Sequence, residues 1–207
     1  MEKEVYWSRF ARDFEARNIY VVGSRDFAAV KEQVASEKDL GRVLELGCGN
    51  GTYSEILARE ADHVTATDFS DEMLEIATAR AEGSGITVEK QNCLDLSYQK
   101  PCFDTVVMIN LLHIIPTPEL ALKEARRVLN ENGRIVVLSF TTDGMAFWAK
   151  LTMFYRYLKT YGKPPETSRH LTMSSTRSLL SGAGFSVEQA CLVGERSKAV
   201  WAVARAV

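Results

Sequence analysis

The richest chemistry in this chain lies in Val43-Leu44-Glu45-Leu46-Gly47-Cys48-Gly49-Asn50-Gly51-Thr52, where an apolar run carrying one acid opens into three glycines over five positions. Glycine tolerates positive φ and has no side chain, so such a loop turns sharply and lets a ligand come close to the backbone. The spacing is G-x-G-x-G. A dinucleotide fingerprint starting at Gly47 needs its third glycine at position 52, which is Thr52. The loop therefore suits a nucleoside-like ligand better than a pyrophosphate. A second acid, Asp68, ends the next apolar run, His63-Val64-Thr65-Ala66-Thr67. An acid at the tip of a second strand accepts hydrogen bonds from ribose hydroxyls.

Residues at these places need elements to hold them. Alternating patterns predict strands over 42–46, 63–67, 87–91, 105–110 and 134–140, with helices over 52–61, 71–82 and 118–129 between them. Ser70 is placed to cap the second helix, with Asp71 and Glu72 in the first turn, and Thr117-Pro118 to start the third. Such alternation makes a parallel sheet covered by helices. Strands 185–193 and 199–205, joined by Gly194-Glu195-Arg196-Ser197, predict a closing antiparallel hairpin. Ahead of the sheet, Trp7, Phe10, Ala11 and Phe14 fall on one helical face, and Ser24 is placed to cap a second helix holding Phe27, Val30 and Val34.

Composition narrows the classes. With 207 residues and 46% apolar side chains the chain suffices for one packed domain and not for a disordered one. A formal net charge of −2 argues against a broad electrostatic grip on nucleic acid. Cys48, Cys93, Cys102 and Cys191 form no C-x-x-C pair and read as reduced, mostly buried thiols of a cytoplasmic protein, with no metal site. The start Met1-Glu2-Lys3-Glu4 is polar, unlike a signal peptide, and no apolar run is long enough to span a membrane.

The motifs also carry a resemblance. Leu44 to Gly51 and then Asp68-Phe69-Ser70-Asp71-Glu72-Met73-Leu74 resemble the first two motifs of class I S-adenosylmethionine-dependent methyltransferases. It continues in Phe103-Asp104-Thr105-Val106-Val107-Met108-Ile109-Asn110-Leu111-Leu112-His113, in Arg126-Arg127-Val128-Leu129-Asn130-Glu131-Asn132-Gly133-Arg134 and in Gly182-Ala183-Gly184-Phe185, covering about residues 40–207. The branch it is most similar to methylates small molecules, quinone precursors included. The resemblance implies an α/β fold: a Rossmann-like, doubly wound, mostly parallel seven-stranded sheet with a terminal antiparallel hairpin and helices on both faces. It divides a single 1–207 domain into a helical cap (1–39), a cofactor-binding core (40–140), a helical insert (141–172) and a closing helix with hairpin (173–207). The implied cofactor is S-adenosyl-L-methionine, leaving S-adenosyl-L-homocysteine.

Carried onto this chain, the resemblance places Gly47, Gly49 and the Cys48 backbone against the methionine and ribose parts, and Glu45 near the ammonium end through water. A buried acid satisfying loop amides is the plainer account of Glu45. Asp68 takes the ribose hydroxyls, with a helix-capping role as its alternative. Phe69 and Met73 pack on adenine, or are plain core. Many relatives carry Asp-Ala at the third strand tip; here the pair is Asn92-Cys93, which keeps an acceptor oxygen and a donor amide but loses charge, and Asp95 competes if the register shifts. Asn110 offers its carbonyl to the ammonium. His113 borders the acceptor, as a weak candidate base or as a structural hydrogen-bonder. His170 ranks below it, and His63 starts a strand far from the ligand edge.

The remaining segment, 141–172, is too long for a simple connection. It holds Phe147, Trp148, Phe154, Tyr155, Tyr157 and Tyr161 with five basic and two acidic residues. It reads as a lid or substrate wall at the ligand edge of the sheet, or as packing alone; the positive excess is small for a membrane contact. The acceptor is expected to be a small molecule and the partners to exclude nucleic acid. The alternatives are an RNA- or protein-directed methyltransferase, a non-catalytic S-adenosylmethionine-binding protein, and an NAD-dependent dehydrogenase, the last disfavoured by Thr52 and by the lack of a Tyr-x-x-x-Lys pair. The RNA alternative lacks an Asn/Asp-Pro-Pro-Tyr-like motif, its place being Asn110-Leu111-Leu112-His113.

Overall fold

A computed structural model describes residues 5–207; the polar start 1–4, with the signal-peptide reading made on it, lies outside the described residues. The strands are β1 (Gly41–Leu46), β2 (Ala61–Asp68), β3 (Thr87–Lys90), β4 (Phe103–Ile109), β5 (Leu129–Thr141), β6 (Phe185–Val193) and β7 (Lys198–Ala206). They form one seven-stranded sheet in the order β3-β2-β1-β4-β5-β7-β6. The first five run parallel, and β7 enters antiparallel between β5 and β6. This is the mostly parallel α/β sheet that the alternation predicts, with its antiparallel end.

Period-two alternation divides the core between the two faces. Leu44, Leu46, Val106, Met108, Ile135 and Val137 pack on one side, against Leu122, Ala125 and Val128 of α6 (Pro118–Val128) and Leu180 of α8 (Met173–Gly182). Val43, Val64, Ala66, Val107, Val136 and Trp201 pack on the other, against α3 (Ser24–Ala35), α4 (Ser54–Leu57) and α5 (Asp71–Ala81). Central strands covered on both sides are near-continuous apolar runs for this reason. Glu45, within β1, shares the second face and is fully buried.

Local expectations were changed where tertiary contacts outweigh them. The N-terminal aromatics do not lie on one helix: α1 (Val5–Ser8), a 3-10 turn at Ala11–Asp13 and α2 (Phe14–Val22) replace it. The amides of Phe10 and Asp13 bond three residues back, to Trp7 and Phe10, and the tightened chain sets Trp7 and Phe10 against Tyr161 at centroid distances of 5.4 and 5.0 Å. Ser24 does not cap α3 but is its first residue, because Gly23, at φ 94°, ends α2 and leads directly into it. The helix expected over 52–61 shortens to Ser54–Leu57. Gly51, at φ 80°, holds the loop until Thr52, and three-residue ties at Arg59 and Glu60 end the helix before β2. Strand β5 starts earlier than expected because Leu129 pairs with Phe103 before an irregularity at Asn132 (φ 60°).

Other local signals hold. Ser70 caps α5 by accepting from the Met73 amide at 3.2 Å, and Pro118 opens α6. The insert contributes α7 (Phe147–Tyr161), followed by a loop that ends on a Thr172–Ser175 capping box. The four thiols are free, but only Cys48 is buried; the other three are half-buried.

The hairpin between β6 and β7 is held from outside by Asp26 of α3. Its buried carboxylate accepts from the amides of Glu195 (2.7 Å), Arg196 (3.3 Å) and Ser197 (2.7 Å). Asp26→Ala leaves these donors unsatisfied and lowers stability by about 2 kcal/mol, read as a fall in Tm. An unchanged Tm would show the hairpin to be held by its strands alone.

Candidate functional site

The loops that leave β1, β2, β3 and β4 at their carboxyl ends meet on one edge of the sheet. Strand β1 is flanked by β2 and β4, so the connections depart to opposite sides there, which opens a crevice at the strand tips. Gly47, Gly49 and Gly51 have φ of 70°, 54° and 80°, backbone that L side chains rarely adopt. A Cβ on Gly47 would stand 2.8 Å from Cδ1 of Leu111, so no side chain fits there.

Asp68 ties the edge together. One carboxylate oxygen accepts from the Gly49 amide at 2.9 Å, and the other from Phe69 and Ser70 at 2.8 and 2.9 Å. Burial pushes its pKa up, while the amides of Ser70, Gly49 and Phe69 pull it back. Of the two roles read from the sequence, the structure shows the support of the start of α5; the same carboxylate also closes on the glycine loop.

Glu45 accepts from the Ser54 hydroxyl, so its partner is a side chain of α4 and not the loop amides. Burial pushes its pKa up to about 7, with the Asp68 charge adding and the Ser54 bond opposing. The Cys48 amide donates to Thr67 O, and its carbonyl accepts from the Gly51 amide, so its backbone is engaged within the loop. Met73 is buried, its sulfur 3.9 Å from where a Cβ on Gly49 would stand. Phe69 is exposed, with Lys90 over its ring at 5.3 Å, which removes the plain-core reading for it.

At the third tip Asn92 is exposed, and its side-chain oxygen accepts from the Leu94 amide; the Asp95 amide donates to Asn92 O, so both belong to one tight turn. Cys93 lies within reach of the Asp68 charge, and burial pushes its thiol up to about 11. Asn110, at φ 56°, is one of three non-glycine residues among those described with positive φ. Its side-chain oxygen accepts from the Phe140 amide at 3.0 Å, which fixes the turn out of β4. Strain of this kind persists where surrounding structure enforces it, and it clusters at functional sites.

The three histidines separate clearly. His63 meets Thr87 at 3.0 Å, at the opposite end of the sheet. His170 accepts from the Thr142 amide, within the insert's base. His113 Nδ1 is buried with no hydrogen-bond partner, and burial pushes its pKa down to about 4, which keeps the ring neutral at pH 7. Its carbonyl accepts from the Arg169 amide, joining the β4 loop to the insert.

Two residues unread in the sequence, Leu111 and Glu15, complete the edge together with Phe14 and Tyr161, aromatics of the N-terminal segment and of the insert that the sequence marks as a wall. Phe14 lies 3.8 Å from the Cβ position of Gly49, and Leu111 covers Gly47. Glu15 accepts from Thr52 and Arg80 at 3.1 Å each, latching α2 to the glycine loop and α5. Tyr161 joins the aromatic group of Trp7, Phe10 and Phe14, and its carbonyl accepts from Tyr6 Oη at 2.9 Å. The N-terminal segment and the insert therefore form one wall beside the loop. No local signal marks Glu15 or Leu111, since their partners are distant in the chain.

Comparison with known proteins agrees with this geometry. The family model "Methyltransferase domain" matches residues 44–137. A ubiquinone biosynthesis O-methyltransferase of Xylella fastidiosa is 35% identical over 109 residues, 51% of this chain and 44% of that protein. A phosphatidylethanolamine N-methyltransferase of Cereibacter sphaeroides is 34% identical over 127 residues, 59% and 62% of the two chains. The chain thus spans about half the length of the curated relatives it matches. In fold, an S-adenosylmethionine-dependent methyltransferase of Thermotoga maritima superposes with a TM-score of 0.74, at 22% identity, over 98% of this chain and 99% of that one. The match starts at Leu44 and runs through the glycine loop, the second acid and the fourth strand, so this stretch is similar to a methyltransferase domain, on a sheet whose fold is that of S-adenosylmethionine-dependent methyltransferases.

Proposed function

We propose that this protein transfers a methyl group from S-adenosyl-L-methionine to a small-molecule acceptor, leaving S-adenosyl-L-homocysteine. The observation that carries it is the Asp68 carboxylate closed on the Gly49 amide, beside three left-handed glycines and a buried acid, Glu45, whose pKa is raised to about 7. These residues fit the cofactor: Asp68 keeps lone pairs for ribose hydroxyls, the side-chain-free Gly47 and Gly49 admit close approach, and Glu45 with the Asn110 carbonyl suits an ammonium. Phe69 and Met73 flank the place of the adenine, and the Asn92–Cys93 turn supplies its polar edge.

When bound, the cofactor supplies a methyl on a sulfonium with a thioether as leaving group. The residues' part is chiefly placement. Holding two reactants in line contributes about 7–11 kcal/mol in well-oriented systems. The wall of Phe14, Trp7, Phe10 and Tyr161 excludes water from the loop and provides an apolar flank, as small-molecule pockets do. Where the acceptor arrives protonated, His113 is the candidate base, and burial, which pushes its pKa down to about 4, makes it a weak one. A quinone-precursor-like acceptor is supported by the ubiquinone O-methyltransferase relative, and a small acceptor by the lack of a strong positive charge.

Calorimetry should show binding of S-adenosyl-L-methionine and S-adenosyl-L-homocysteine and none of NAD, and a metabolite panel should release S-adenosyl-L-homocysteine with one acceptor class. NAD binding without a response to either sulfur compound overturns the reading. Cofactor binding with no product from any acceptor would leave a sensor instead.

A further inference from the structure

Helix α7 is built inside out. Its inward residues Met153, Tyr157 and Tyr161 pack with Val21, Val22 and Phe27. Its outward residues Phe147, Leu151, Phe154, Tyr155 and Leu158 share one face, and Trp148 borders it. All six are exposed, Trp148 by 76% and Phe147 by 65%. A helix packed on a domain normally turns polar residues to water, and a contiguous apolar patch of this kind marks an interaction surface. Tyr20 of α2 extends the patch, with Arg156 over its ring at 5.7 Å.

Charge identifies the partner. Lys150, Arg156 and Lys159 are the charged residues of α7, and it contains no acid. On a helical projection the cations flank the aromatic arc on both sides. Two copies meeting face to face across a two-fold axis would bring these like charges together. An anionic surface pairs them instead, and aromatic rings bordered by lysine and arginine suit the headgroup boundary. We infer that α7 docks this protein on an anionic lipid bilayer, laying its aromatic face among the headgroups and acyl ends. The inner face of the same helix carries Tyr161, so docking sets the wall of the proposed site against the bilayer. The surface stands on exposure and charge alone, and lipid binding needs no methyl transfer, so the two readings fail separately.

The test is flotation of the full chain with vesicles of phosphatidylglycerol and phosphatidylcholine, against vesicles of phosphatidylcholine alone. The protein is expected to float with the anionic vesicles and much less with the neutral ones, and to be released by salt. The triple variant Phe147→Ser, Trp148→Ser and Phe154→Ser is expected to remain with free protein at an unchanged Tm, because these side chains lie in solvent. Lys150→Glu with Lys159→Glu is expected to lower partitioning roughly tenfold or more. Trp201 is buried and Trp7 half-buried, so a blue shift of fluorescence on vesicles is expected to vanish in Trp148→Phe while flotation persists. Wild-type protein that stays free of anionic vesicles overturns the inference. So does a stable dimer, free of vesicles, that the triple serine variant dissociates, since a second copy would then be the occupant.

Discussion

Asp68→Ala is expected to weaken S-adenosyl-L-methionine binding by about ten- to a hundredfold, the equivalent of 1.5–3 kcal/mol for hydrogen bonds to a charged group. The same substitution frees the amides of Gly49, Phe69 and Ser70, so stability should fall as well. Asp68→Asn separates the two effects. One amide oxygen still accepts from Phe69 and Ser70, which holds the α5 turn, while the other position becomes a donor that opposes the Gly49 N–H and cannot accept from ribose. Affinity per folded molecule should therefore fall in both variants, and Tm mainly in the alanine one. Constant affinity per folded molecule in both, with Tm falling in both, would make Asp68 a structural support of the loop and nothing more.

Glu45 should make stability pH-dependent over an unusual range. Its pKa is raised from 4.5 to about 7 in the folded chain by burial, so the protonated acid favours folding. That contribution is fully present below the unfolded value and is lost as pH rises toward 7. Above it, the buried carboxylate costs about 3 kcal/mol relative to the acid. Glu45→Gln should flatten the dependence of stability on pH between about 4.5 and 7, whatever the amide does to stability itself. A ligand ammonium reached through water favours the carboxylate, so cofactor binding near pH 7 should release about half a proton. Calorimetry in buffers of different ionisation enthalpy measures that release, and Glu45→Gln should abolish it. Equal proton release in the two proteins would remove Glu45 from the ligand's surroundings.

The apparatus at the strand tips was legible because its signals are local. Three glycines between an apolar run and a helix, an acid at the end of the next run, and Ser70 ahead of Asp71 and Glu72 each depend on neighbours a few residues away. Alternation of apolar runs and amphipathic stretches, likewise, required a mostly parallel sheet. Where a local signal failed, a distant contact outweighed it. One aromatic face at residues 7–14 became three short pieces because Tyr161, some 150 positions on, draws Trp7 and Phe10 onto its ring.

What only the tertiary structure decided is which groups face one another and which face water. Residue types alone did not show that the Asp68 carboxylate closes on the Gly49 amide of the glycine loop. Nor did they reveal Glu15 as a latch, Leu111 as the cover of Gly47, or the unpartnered Nδ1 of His113. The concentration of aromatics in 141–172 marked a wall or a packing segment but set none of them against a neighbour. Packing chose Tyr157 and Tyr161 for the inside and left Phe147, Trp148 and Phe154 in solvent. Burial is a property of the whole chain's arrangement, so pKa shifts, orphaned polar atoms and outward-facing aromatics exist only once the sheet and its covering segments are in place.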